Sequence, residues 1–93
     1  MYTLEKIRVE PGHYSAVKDG YKVQGRYLSV FLAGEHDPVQ LEGIKDIKID
    51  WQVLLTGGCY LQTSPVQEIL GSGPDWIEFK TMTSVYELRS TPS

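Results

Sequence analysis

The amino-acid sequence predicts an all-β fold, a small antiparallel barrel or two-sheet sandwich of about five to seven short strands with at most one short helical turn. Three observations carry this expectation. Asp46 to Gln62, DIKIDWQVLLTGGCYLQ, alternates apolar and polar residues up to Gly57-Gly58, as a half-buried hairpin does. Turn signals at Pro11-Gly12, Asp19-Gly20 and Gly71-Ser72-Gly73-Pro74-Asp75 cut the chain into short β-forming runs. No stretch keeps a helical apolar period beyond about two turns.

Thr3 to Val9 reads as a first strand with Ile7 and Val9 inward, and His13 to Asp19 fits no single element. Tyr21 to Ala33 is the longest β-like run, and its phase changes midway. Lys22, Gln24 and Arg26 alternate against Val23, Gly25 and Tyr27, after which Leu28, Val30 and Leu32 take the parity that was polar. Either a bulge at residues 25–27 re-aims the strand or its second half is covered on both faces. Ala33 to Gly43, AGEHDPVQLEG, suits a surface loop.

In the central hairpin the inward set is Ile47, Ile49, Trp51, Val53 and Leu55, with Trp51 and Leu55 as core anchors. A three-residue turn, Gly57 to Cys59, sets Leu55 opposite Leu61 and Val53 opposite Thr63. A two-residue turn would slip the register and face Val53 with Gln62. Pro65 is expected to close the returning strand, because proline cannot donate to a ladder. Val66 to Leu70 is short enough for an edge strand or one helical turn. Trp76 to Arg89 then reads as strand, with Ile77 and Phe79 on one parity and Met82, Tyr86 and Leu88 on the other. That shift requires a bend or tight turn near Thr81 to Ser84. The expected organisation is one β domain over residues 1–89 with a flexible tail, Ser90 to Ser93.

Composition narrows the function classes. Net charge is −3 and the acids and bases are interspersed, which weighs against a phosphate-binding surface. The single cysteine, Cys59, excludes a disulfide or a multi-thiolate zinc site within one chain and points to a reducing, cytoplasmic location. The start lacks a basic segment followed by an apolar run, and no stretch approaches about eighteen consecutive apolar residues, so neither export nor membrane spanning is expected.

No residue pattern assembles a catalytic centre. Glu35-His36-Asp37 is the one place where a histidine adjoins carboxylates. A zinc site, however, wants about three spaced ligands, as in His-x-x-x-His, and His13 would have to converge with His36 from a distance. Cys59 has no neighbouring histidine or helix N-terminus to stabilise a thiolate. Gly57-Gly58 and Gly71-Ser72-Gly73 lack the Lys-Ser or Lys-Thr and the following helix of a phosphate loop. The carboxylate pairs Asp46 with Asp50 and Glu68 with Glu78 read as solvent-facing strand positions. No catalytic residue, metal or cofactor is assigned.

The C-terminal third carries Thr63-Ser64-Pro65-Val66 and finishes on Thr81-x-Thr83-Ser84-x-Tyr86-x-Leu88. In these features it resembles short uncharacterised proteins encoded by bacteriophages and prophages, which pair a Thr-Ser-Pro-Val element with a last strand written Thr-x-Asn-Ser-x-Tyr-x-Leu. Thr83 stands where that pattern has Asn. The resemblance covers roughly the last third of the chain and implies an origin in mobile elements and a compact β fold, without an activity. Thr81, Thr83 and Ser84 are expected to bond across strands or cap a turn.

The function expected from these readings is non-catalytic protein binding, in an accessory protein of a phage or mobile element that works in the host cytoplasm. Tyrosines suit this role because each pairs a large apolar body with a polar tip, and Tyr21, Tyr27, Tyr60 and Tyr86 are the partner-binding candidates. A homo-oligomer through a sheet edge or face is expected to accompany it. One alternative is a small nucleic-acid-binding barrel using Lys22, Arg26 and Tyr27, with stacked bases on an aromatic platform. Another is a small-ligand binder with its pocket between subunits.

Overall fold

The computed structural model describes residues 1–9 and 20–91; the expectations placed on Pro11-Gly12 and His13 lie outside them. Eight antiparallel strands and a single 3-10 turn make up the described chain: β1 Tyr2–Val9, β2 Lys22–Gly25, β3 Tyr27–Phe31, β4 Val39–Gln40, the turn Ile44–Asp46, β5 Gln52–Thr56, β6 Tyr60–Ser72, β7 Trp76–Thr81 and β8 Ser84–Ser90. Hydrogen bonds order them β2-β1-β8-β7-β6-β5-β3-β4. The all-β expectation holds. The ladder is open, with β2 and β4 as edges, so the closed barrel is corrected, and there are more strands than the five to seven expected. Two of the divisions have a local cause: Tyr21 to Ala33 divides at Arg26, and the expected loop Ala33 to Gly43 contains β4.

Two bends fold this one sheet over its own inner face. β6 changes partner midway, pairing Tyr60, Leu61 and Gln62 with β5 and Val66 to Ser72 with β7. Pro65 sits at the change of partner and does not end the strand. Its missing N–H is absorbed where the β5 register shifts, and Val66 carries on by donating to the Trp51 carbonyl (2.9 Å). At the other bend, β2 pairs with β1 and β3 with β5, although only Arg26 separates them. Gly25 makes this possible. It is buried, and a Cβ there would lie 2.5 Å from the Thr56 carbonyl oxygen, closer than any side chain tolerates. The Arg26 N–H donates to the Gly57 carbonyl (3.1 Å) and pins the bend to the β5–β6 turn.

Side chains from both halves therefore meet in one core. Leu4, Leu28, Val30, Val53, Leu55, Val66, Phe79 and Leu88 are all essentially inaccessible, and Ile44 and Ile47 plug one end. Leu55 faces Leu61 and Thr56 faces Tyr60, which makes the hairpin loop Gly57 to Cys59, as the side-chain argument required. The Val53 N–H donates to Thr63 Oγ1 (3.1 Å) instead of continuing the ladder. Upstream, Ile47 is buried as expected, but the alternation is corrected at Ile49 and Trp51. β5 begins only at Gln52, because Ile44–Asp46 coils into a 3-10 turn and Asp50 takes a left-handed φ of 72°, a conformation Asp tolerates better than most residues. Ile49 is consequently exposed, and Trp51 packs only partly against the core with the Lys48 ammonium 5.7 Å from its ring.

In β1 the inward residues are Leu4 and Lys6, not Ile7, since a register shift between Lys6 and Arg8 reverses the parity. β7 and β8 are joined by the tight turn expected near Thr81 to Ser84. There the Ser84 N–H donates to Thr81 Oγ1 and Thr81 Oγ1 donates to the Ser84 carbonyl, both at 3.2 Å. Val66 to Leu70 lies inside the sheet, within β6, and is neither an edge strand nor a helical turn. Ser90 ends β8 and the Thr91 N–H donates to the Met1 carbonyl (2.9 Å), so order continues beyond Arg89. Among the described residues no helix is long and apolar enough to cross a membrane.

Candidate functional site

Residues directly opposite in an antiparallel ladder point to the same side, so the register maps the outer face of the sheet. Across β3, β5 and β6 one row runs Tyr27, Thr56, Tyr60 and the next runs Ser29, Leu54, Gln62; Gln40 of β4 extends the second, and Phe31 stands opposite Gln52 in a third. None of these positions carries a charge. Tyr27 and Tyr60 are 53% and 69% exposed and stand two strands apart, roughly 10 Å by the usual strand spacing. The Tyr27 ring lies against Gly57, where a Cβ would come within 2.7 Å of it, and the Tyr60 hydroxyl bonds Gln62 Oε1 (3.3 Å). Leu54 is 6% exposed but stays outside the core cluster that takes Val53 and Leu55.

Over β2, β1, β8 and β7 the outer face is of another kind. One row reads Lys22, Glu5, Glu87, Glu78, and the rows beside it hold Thr3, Arg89 and Trp76 on one side and Arg8, Val85 and Lys80 on the other. Arg89 pairs with Glu87 at 2.5 Å and sits 5.9 Å from the Trp76 ring. Val85 is buried yet outside the core cluster, beneath neighbours whose aliphatic stems can shield it.

The predicted site residues fall apart along this division. Tyr27 and Tyr60 come together. Tyr21, also exposed, lies before β2 at the far end of the bent strand, and its carbonyl accepts from the Lys6 N–H (2.9 Å). Tyr86 is corrected: it is 5% exposed, stacked on Phe79 with ring centroids 5.6 Å apart, and cannot meet a partner. Burial pushes its phenol above the ordinary tyrosine value, against a smaller opposing effect of its hydrogen bond with Ser84. Of the nucleic-acid set, Arg26 and Tyr27 adjoin at the bend, whereas Lys22 belongs to the charged face opposite Glu5. Among the described residues Arg26 is the one cation adjoining Tyr27, and the ladder rows of Tyr27 and Tyr60 hold none.

The residues weighed for catalysis that lie within the described chain do not converge. Glu35, His36 and Asp37 are exposed in the β3–β4 loop, and among the described residues no group of three His, Cys, Asp or Glu side chains is placed to hold a metal ion. Cys59 lies beside the bend with its thiol 3.7 Å from the Leu55 carbonyl; burial raises its pKa and so lowers its thiolate fraction at neutral pH. Glu68 faces Lys80 and Glu78 faces Glu87, so the carboxylate neighbours differ from those suggested by the linear order. Thr56, Ser29 and Gln62, the polar companions of the tyrosines, escaped the sequence reading. The hairpin register already set Thr56 beside Tyr60, but the pairing of β3 with β5 is long-range. Comparison with protein-family models, curated proteins and solved structures finds no match for this chain, so its site is read from geometry alone.

Proposed function

We propose that this chain is a non-catalytic protein-binding module, an accessory protein of a phage or mobile element, and that it engages its partner with the outer face of β3, β5 and β6. The observation that carries the reading is the row Tyr27, Thr56, Tyr60, which with the row beside it, Ser29, Leu54 and Gln62, holds no charged residue. Tyrosine contributes a large contact area for few rotatable bonds, and Ser, Thr and Gln adapt their hydrogen bonds to the surface they meet. An uncharged face also escapes the desolvation penalty of burying ions without partners, which the rows through Glu5, Glu87 and Glu78 would incur. The short edges, four residues in β2 and two in β4 with Pro38 just before it, limit strand addition and favour binding through the face.

The test is capture from a host-cell lysate with three forms of the protein: unaltered, Tyr27→Ala with Tyr60→Ala, and Glu5→Lys with Glu78→Lys. A protein retained by the first and third and lost by the second is expected. Retention by the tyrosine variant, shown to be folded, would refute the assignment of this face.

A further inference from the structure

At the end of the sheet plugged by the 3-10 turn, an open cavity of about 410 Å³ lies between that turn and the β6–β7 hairpin. Its volume falls in the roughly 300–1,000 Å³ range of small-molecule sites. Ile47, Ile69 and Ile77 supply apolar walls, and Lys45, Ser72 and Gly73 complete the lining. Ile47 and Ile77 belong to the core itself, so these walls are held by the packing of the whole domain.

The backbone around the cavity is shaped for an opening. The β6–β7 register shifts between Ile69 and Gly71, and a bulge of this kind bends a strand and re-aims its side chains. Gly71 and Gly73 leave room for the Trp76 ring, which a Cβ at Gly73 would overlap. The Trp76 indole thus packs against Gly73, one of the residues that line the cavity.

The lining carries one charge, the ammonium of Lys45, which is exposed and has no ion-pair partner among the described residues. A neighbouring cavity of about 330 Å³ shares Lys45 but is lined by Glu42, Asp46 and Asp75. An anion would therefore be accepted on the isoleucine side and repelled on the other. From this combination we infer that the isoleucine-walled cavity binds a small amphiphilic carboxylate, its apolar chain against Ile47, Ile69 and Ile77 and its carboxylate at Lys45. This site is independent of the tyrosine face and stands or falls separately from the protein-binding reading.

Octanoate is the probe, with octylamine as its charge-reversed counterpart, both below micelle-forming concentrations. At about ten times the dissociation constant octanoate raises Tm by roughly 7 °C, whereas octylamine does not. Octanoate also shifts the methyl NMR signals of Ile47, Ile69 and Ile77 and the Trp76 fluorescence. Lys45→Gln weakens octanoate about fivefold, the scale of one exposed charge contact. Lys45→Glu, a surface change that leaves the core untouched, reverses the preference in favour of octylamine. Absence of any octanoate effect on the unaltered protein, equal effects of the two probes, a preference unmoved by Lys45→Glu, or shifts confined to residues away from the three isoleucines would each overturn the proposal.

Discussion

Across β1, β8 and β7 the outward rows hold Glu5, Glu87, Glu78, Arg89 and Lys80, while the corresponding rows of β3, β5 and β6 hold Tyr27, Thr56, Tyr60, Ser29 and Gln62. Inward, Leu4, Phe79 and Leu88 from one half and Val30, Val53 and Leu55 from the other join a single core, although the fully buried Lys6 also points inward from β1. Each half even buries one outward aliphatic residue, Val85 between Arg8 and Lys80 in its ladder row and Leu54 between Ser29 and Gln62 in its own. The comparison separates two tasks. Inward positions hold the fold together, and outward positions are freer to differ, which is the contrast on which the proposed binding face rests.

The shared core provides the largest effect by which this comparison can be broken. Phe79→Ala on the charged half is expected to cost about 3–5 kcal/mol and Leu55→Ala on the other about 2–5 kcal/mol, each within one cooperative urea transition. Two separate transitions would mean that the halves are independent and their contrast trivial. At the boundary, Gly25→Ala should cost about 1–3 kcal/mol, because the new methyl meets the Thr56 carbonyl and Leu55 side chain where the chain bends. A stability within a few tenths of the unaltered protein would show that the bend relaxes.

Alkaline titration sharpens the inner side of the comparison. Burial raises the Tyr86 pKa above its ordinary value near 10, so the stability it contributes is complete below that value and is lost as pH climbs through the raised one. Ultraviolet titration should therefore show a late phenol whose ionisation coincides with unfolding, and Tyr86→Phe should remove that coupling. The smallest effect concerns the charged row. Glu78 faces Glu87 in register, and Glu78→Lys should add a few tenths of a kcal/mol at low salt, fading as salt is raised. A loss of stability at low salt would show that Arg89 and its neighbours already neutralise the row.

Local chemistry made part of this structure legible in the sequence. The parity change in Tyr21 to Ala33 marked the bend at Gly25 and Arg26, the Gly57 to Cys59 turn set Leu55 against Leu61, and the shift from Phe79 to Tyr86 marked the Thr81 to Ser84 turn. The failures were long-range. Pro65 looked like a terminator because its acceptance depends on a change of partner from β5 to β7. Trp51 looked central because alternation was extended through Asp50, whose left-handed backbone breaks it. Tyr86 looked available to a partner until β7 set Phe79 beside it. The candidate face was half visible, since Tyr60 and Thr56 belong to one hairpin, but only the pairing of β3 with β5 brings Tyr27 to them.

The central claim is that the uncharged tyrosine face makes the contact, and hydroxyl-radical footprinting of the chain with and without its captured partner tests it most directly. Tyr27 and Tyr60 should be protected together while Tyr21, exposed at the distant end of the same bent strand, labels as before. Unchanged labelling of Tyr27 and Tyr60, with protection appearing instead at Trp76 on the charged face, would contradict the account.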